Sequence, residues 1–243
     1  MSTSKQHTAG DQTQARPENR AAALARSILS CPIEVDLVVD GVAHPLADDS
    51  TLPMQDLAGV PTFACRPDGV LARAGQAGLP VVITVRSGLG TDGSPERDAS
   101  LAVAGRLRRA GGEYCDCCDE VRDRLVVDID LVQVTCRGTR TAVPVEEFLN
   151  PAYHLNAGYL QRAVEHANGS HQEELRYAVA QRTNQRPRHI VAVRLADLTC
   201  RSVEVQWVTA DGGNRTVLRF PTTASTPEEL GDLLRKALHP GLC

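Results

Sequence analysis

The chain has 243 residues, of which 42% are hydrophobic and 23% charged, enough to bury one large core or two modest ones and far from the composition of a disordered chain. Its net charge of −4 is split into 15 basic and 21 acidic residues up to position 150 and 11 and 9 beyond it, without the clustered basic surface that nucleic acid requires. No stretch reaches the roughly 20 apolar residues of a membrane span, and the polar Met1 to Asn19 lacks the apolar centre of a signal peptide; the expectation is a cytoplasmic, reducing setting in which the eight cysteines serve as free thiols, metal ligands or redox groups.

In chain order, residues 1–16 read as a disordered tail, and Pro17 sits where a helix can begin, ahead of ENRAAALARSILS. From Ile33 the pattern turns to strands: IEVDLVV, a turn at Asp40-Gly41, a second run, and DLAGVPTFAC bent at Ala58-Gly59. VLARAGQAG reads as a short helix. Longer strands follow at LPVVITVRS, ASLAVAGRLRR and RLVVDIDLVQVTC, separated by a Gly/Asp-rich loop at Gly88 to Arg97 and a Cys-rich segment. Several antiparallel strands at short spacing with single helices between them favour a closed or partly closed barrel, residues 17–150, over a parallel sheet.

The boundary is expected near Val143 to Pro151. Beyond it, in residues 151–243, Asn156 can cap a helix running to about Arg182; HIVAVRLADL, SVEVQWVT and NRTVLRF then read as three strands, with Asp211-Gly212-Gly213 as the last turn. TPEELGDLLRKAL closes the chain as a helix with Thr226 as cap, Pro227 at its first position and Glu229 placed for a capping box. The expected fold class is α+β: an antiparallel split β-barrel followed by an αβββα module.

EHANGSHQEEL, three strands, and FPTTASTPEELGDLLRKAL together resemble the small C-terminal domain of HugZ-like heme-utilisation proteins, which also occurs in chloroplast and cyanobacterial relatives. In that family a helix carries Asn, two residues, then His, which fall here on Asn168 and His171; Ser170 stands where the family often has an acid. The first module, with PTFACRPDGVLARAGQAGLPVVITVRS, resembles the flavin-nucleotide-binding split barrel of pyridoxamine-phosphate-oxidase-like proteins. The resemblance implies a homodimer that binds heme or a related tetrapyrrole, for heme handling or oxidative degradation. It leaves two alternatives: an FMN-dependent oxidoreductase, with Arg86 as the nearest candidate for the flavin phosphate, and a non-catalytic interaction protein of tetrapyrrole metabolism.

At 100° per residue, Leu160, Val164, Ala167, His171, Leu175 and Ala178 fall within an arc of about 80° on one continuous helix. His171 in mid-stripe is then either a core histidine bonded to a neighbour or an imidazole offered to a ligand between helix and barrel. His166, five residues earlier, would stand about 140° away around an intact helix, so the two could not chelate one ion. His154, ahead of the helix, could approach the barrel, and His239 could reach a ligand pocket from the C-terminus. Cys115, Cys117 and Cys118 could hold zinc or an iron-sulfur centre if Cys136 or a histidine supplied a further ligand; buried or oxidation-sensitive free thiols are the alternative. Gly88 to Gly93 lacks the strand-to-helix context of a phosphate loop, and the motifs of acyl transfer, zinc proteolysis and nucleotide hydrolysis are missing.

Overall fold

A computed structural model of the chain describes residues 17–40, 42–44, 54–114 and 121–238. The proposed tail, the Cys115–Cys118 cluster and His239 lie outside the described residues. The architecture is α+β, with a strongly curled antiparallel half-barrel sheet.

That sheet has eight strands. Helix α1 (Pro17–Ser30) precedes β1 (Pro32–Val39), β2 (Val42–His44), β3 (Gln55–Leu57) and β4 (Val60–Cys65); α2 (Val70–Ala77) leads into β5 (Pro80–Ser87), β6 (Ser100–Tyr114), β7 (Val121–Cys136) and β8 (Thr139–Val143). The strand order is β2-β1-β5-β6-β7-β4-β3, every pairing is antiparallel, and β8 also pairs with β7. The long β7 thus serves two neighbours on one edge: β4 along Asp123 to Val126 and β8 along Val132 to Cys136. Between β6 and β7 the register slips at Ala104/Gly105 and again at Arg109/Gly111, and such bulges bend a strand and increase its twist. Gly105 is required at the first slip, because any side chain there would collide with the Asp128 carbonyl.

The curl encloses α1. Ala22, Ala25, Ile28 and Leu29 are buried against Phe63, Ile83, Leu101, Leu107 and Leu125 in one hydrophobic cluster. Strand alternation supplies the other wall: in β5, Val81, Ile83 and Val85 point inward while Val82 and Arg86 face out, as the two-residue period of a half-buried strand requires.

A short helix α3 (Val145–Phe148) and a 3₁₀ turn (Pro151–Tyr153) lead to α4 (Ala157–Ser170) and α5 (Gln172–Thr183); a second 3₁₀ turn (Pro187–His189) precedes β9 (Ile190–Ala196), β10 (Ser202–Thr209), β11 (Gly212–Arg219) and α6 (Pro227–Leu238). The three strands form a separate antiparallel sheet, β11-β10-β9. Its inner face, with Val193, Leu195, Val203 and Val205, joins Leu175, Ala178 and Val179 of α5 and Leu230 and Leu233 of α6 in a second cluster. At the start of α6 the Thr226 hydroxyl accepts from Glu229 N, while the Glu229 carboxylate accepts from Ser225 N, one residue short of the expected reciprocal box.

The single helix expected from Asn156 to Arg182 is in fact two. The chain leaves helical geometry at His171 (φ −121°, ψ 33°), which ends α4 and precedes α5. Gly169 and Ser170 just before it are weak helix formers.

Candidate functional site

The α4–α5 pair lies along the free edge of β9, which among the described residues pairs only with β10. Asn168 Nδ2 donates to Leu195 O (3.0 Å), and Asn168 Oδ1 accepts from Leu195 N (2.8 Å). Four residues on, Gln172 Nε2 donates to Val193 O (3.1 Å), and four further, Arg176 Nη2 donates to Val191 O (3.2 Å). Four helical residues rise about 6 Å and two strand residues about 6.8 Å, so an i, i+4, i+8 row of polar side chains meets alternate residues of a strand almost in step. This ladder satisfies an edge that would otherwise be open to pairing with another chain. Asn168 therefore spends its amide on the main chain of its own fold.

His171 is not in mid-stripe. Leu175 and Ala178 are buried, and Leu160, Val164 and Ala167 pack half-buried against the same cluster, but the break turns His171 outward with 47% of its side chain exposed. The break also overturns the expected separation of the two imidazoles. His171 Nε2 lies 3.3 Å from His166 Nε2, with ring centroids 5.0 Å apart and planes at 80°. The Glu174 carboxylate stands 3.7 Å from the other nitrogen of His171, Nδ1.

The remaining candidates are scattered. His154 follows the 3₁₀ turn, half-buried, and faces the start of α6; the Glu228 carboxyl there is held below its usual range chiefly by hydrogen bonds to its own backbone and to the Thr226 hydroxyl, with His154 adding to the effect. Arg86 forms an exposed ion pair with Glu34 on the neighbouring strand (2.6 Å), directly across the β1–β5 register. Cys136 is half-buried, its thiol donating to Pro95 O (3.5 Å). Among the described residues, no three His, Cys, Asp or Glu side chains converge as metal ligands, and no helix is long and apolar enough to cross a membrane.

The seam between the two hydrophobic clusters runs where α4 crosses α1. Gly158 packs so closely on α1 that an added methyl would collide with the Ser27 carbonyl. Asn156 caps α4 by accepting from Tyr159 N (2.9 Å) and donates across the seam to Ser30 Oγ (2.9 Å). Gln161 clasps the loop after β5, donating to Gly88 O (2.8 Å) and accepting from Gly90 N (3.0 Å). Beside these contacts lies a groove of about 640 Å³, lined mainly by apolar groups, with Leu24, Leu89, Tyr153 and Leu155 on its walls and Ser27, Glu96, Asn156 and Gln161 as its polar marks. None of the described histidines lines it. His171 is ten residues beyond Gln161, about 15 Å along a helix axis. The Tyr153 hydroxyl is pushed up to about 12 by burial and by its hydrogen bond to Glu147 (2.7 Å), so it stays protonated at neutral pH. Burial likewise raises the thiol of Cys31, with Glu165 adding to the effect and Arg162 and Arg97 opposing it, which disfavours the thiolate.

Sequence reasoning missed three features. The Asn168, Gln172, Arg176 ladder was visible as a four-residue spacing of amide and guanidinium side chains. The groove carries no sequence signal, because its walls come from three separate segments, 23–27, 89–96 and 152–161. The third is Arg26, buried on the inner side of α1, whose charge looks like an ordinary solvent-facing one in an alanine-rich helix.

No family model matches the chain, and no curated protein does. Among solved structures, the chain is similar to a heme binding protein from Mycobacterium smegmatis, at 17% identity and a TM-score of 0.42, over 89% of this chain and 97% of that one. It is also similar to the protein Atu2129, of unknown function, from Agrobacterium tumefaciens str. C58, at 16% identity and a TM-score of 0.40, over 95% and 100% of the two chains.

Proposed function

We propose that this protein binds heme or a related tetrapyrrole in the manner of HugZ-like proteins, in the groove where modules spanning residues 17–150 and 151–243 meet. The observation that carries the proposal is the groove itself: its size falls within the range of about 300–1,000 Å³ typical of small-molecule sites, and apolar walls with a few polar marks suit a flat, largely apolar molecule. The resemblance of EHANGSHQEEL and FPTTASTPEELGDLLRKAL to the HugZ-like C-terminal domain supplies the ligand class. The fit is incomplete at the iron, since the groove offers no imidazole of its own among the described residues. His154, between the wall residues Tyr153 and Leu155, and the exposed His171 are the described candidates for an axial ligand, and His239 is a third. For FMN the fit is poorer, because the basic residue nearest to a phosphate role, Arg86, pairs with Glu34 in the open.

Titration of the heme-free protein with hemin tests the proposal. We expect a shifted Soret band at one equivalent, affinity at least tenfold weaker in Leu155→Glu, and loss of the axial-ligand signature in one of His154→Ala, His171→Ala and His239→Ala. A protein that leaves the hemin spectrum unchanged overturns the heme assignment, and a folded Leu155→Glu with undiminished affinity overturns the groove. Flavin bands in the purified protein would favour the FMN alternative.

A further inference from the structure

We propose that His166 and His171 form a two-imidazole site for a divalent first-row transition ion of the zinc, nickel or copper class, with its open positions filled by water or by an incoming ligand. Geometry comes first. Two nitrogens bound at about 2.05 Å to one ion with a tetrahedral angle lie about 3.3 Å apart, the separation found between the two Nε2 atoms. Ring centroids in such a pair would be about 5.2 Å apart; an imidazole pair meeting head-on at the same nitrogen distance would need about 5.6 Å. The observed 5.0 Å shows rings tilted out of the head-on arrangement and lies nearer the first value.

The other nitrogen of His171, Nδ1, also has a neighbour. A ligating imidazole commonly turns its remaining ring N–H toward a carboxylate, which fixes the tautomer and leaves the opposite lone pair for the metal. Glu174 stands on that side, 3.7 Å from Nδ1, just beyond direct hydrogen-bond distance. Asn168 and Gln172 pin the chain to β9 on either side of the break, so the bend that brings the imidazoles together is imposed by the fold and not by a metal. Both side chains are exposed, which admits a hydrated ion. Imidazole suits zinc, copper and nickel in preference to the hard, oxygen-seeking magnesium and calcium.

This inference is independent of the tetrapyrrole proposal, except that His171 Nε2 cannot serve both ligands at once. The test is therefore made without hemin, on the full chain carrying Cys115→Ser, Cys117→Ser and Cys118→Ser so that those thiols do not compete for the ion. Zinc chloride titrated in a calorimeter should bind at one equivalent. His166→Ala and His171→Ala should each weaken that binding at least tenfold, with Glu174→Gln weakening it less and the exposed His189→Ala leaving it unchanged. Circular dichroism confirms that each variant is folded. Paramagnetic nickel should broaden the imidazole resonances of His166 and His171 first. Zinc binding that survives loss of either imidazole at full strength, broadening centred elsewhere, or no binding at all would overturn the site and leave a hydrogen-bonded histidine pair.

Discussion

The two sheets deal with their polar groups in opposite ways. In the curled sheet the decisive ones are inside. The Arg26 side chain is almost wholly enclosed; its guanidinium lies 5.6 Å over the Phe148 ring, donates to Phe148 O (3.4 Å) and stands 3.7 Å from Asp56. Burial pulls it below its ordinary value, and Asp56 offsets part of that. Asp56 in turn accepts from Gly59 N (2.6 Å) and Ser30 Oγ (2.5 Å), tying α1 to the β3–β4 turn. In the small sheet the polar groups run along the rim, where Asn168, Gln172 and Arg176 meet the edge of β9. A rim held by polar pins leaves the adjacent side chains facing water, and that is where the imidazole pair stands.

Asp56→Ala probes the contrast hardest. It strands the Arg26 guanidinium in the core, and removing one partner of a buried pair typically costs about 3–5 kcal/mol. A urea midpoint measurement should show a loss of that order; a loss below about 1 kcal/mol would mean that Arg26 finds other solvation and that the interior of the curl is wetter than its packing implies.

Asn168→Ala comes next. It deletes two hydrogen bonds to the buried Leu195 and leaves that backbone unpaired, at a cost of about 2 kcal/mol. Hydrogen exchange at the Leu195 amide should rise with it, and an unchanged exchange rate would show that the ladder is not what protects β9. The smallest effect belongs to Arg86→Ala, whose exposed pair with Glu34 should change stability by no more than about 0.5 kcal/mol. A larger loss would place Arg86 in a role that its surroundings do not reveal.

The sequence made the local grammar legible. Strand periodicity, the turn at Ala58-Gly59 with both residues at positive φ (53° and 98°), and the Asn156 and Thr226 caps all depend on neighbours a few residues away. What stayed hidden depends on distant partners. A regular 3.6-residue stripe carries no sign that β9 will draw Asn168 and Gln172 to its edge, so His171 read as part of a continuous face. The sharing of β7 between β4 and β8, and the burial of Arg26, are likewise fixed by residues far along the chain. The candidate site was legible as residue types, two histidines five apart beside an asparagine, but their mutual approach was not.

The contact at Gly158 joins the last turn of α1 to the first turn of α4, so the carbonyl-rich, partially negative end of one helix meets the amide-rich, partially positive end of the other. The opposed partial charges attract each other whatever side chains surround the junction, and the arrangement asks only that nothing bulkier than hydrogen intervene.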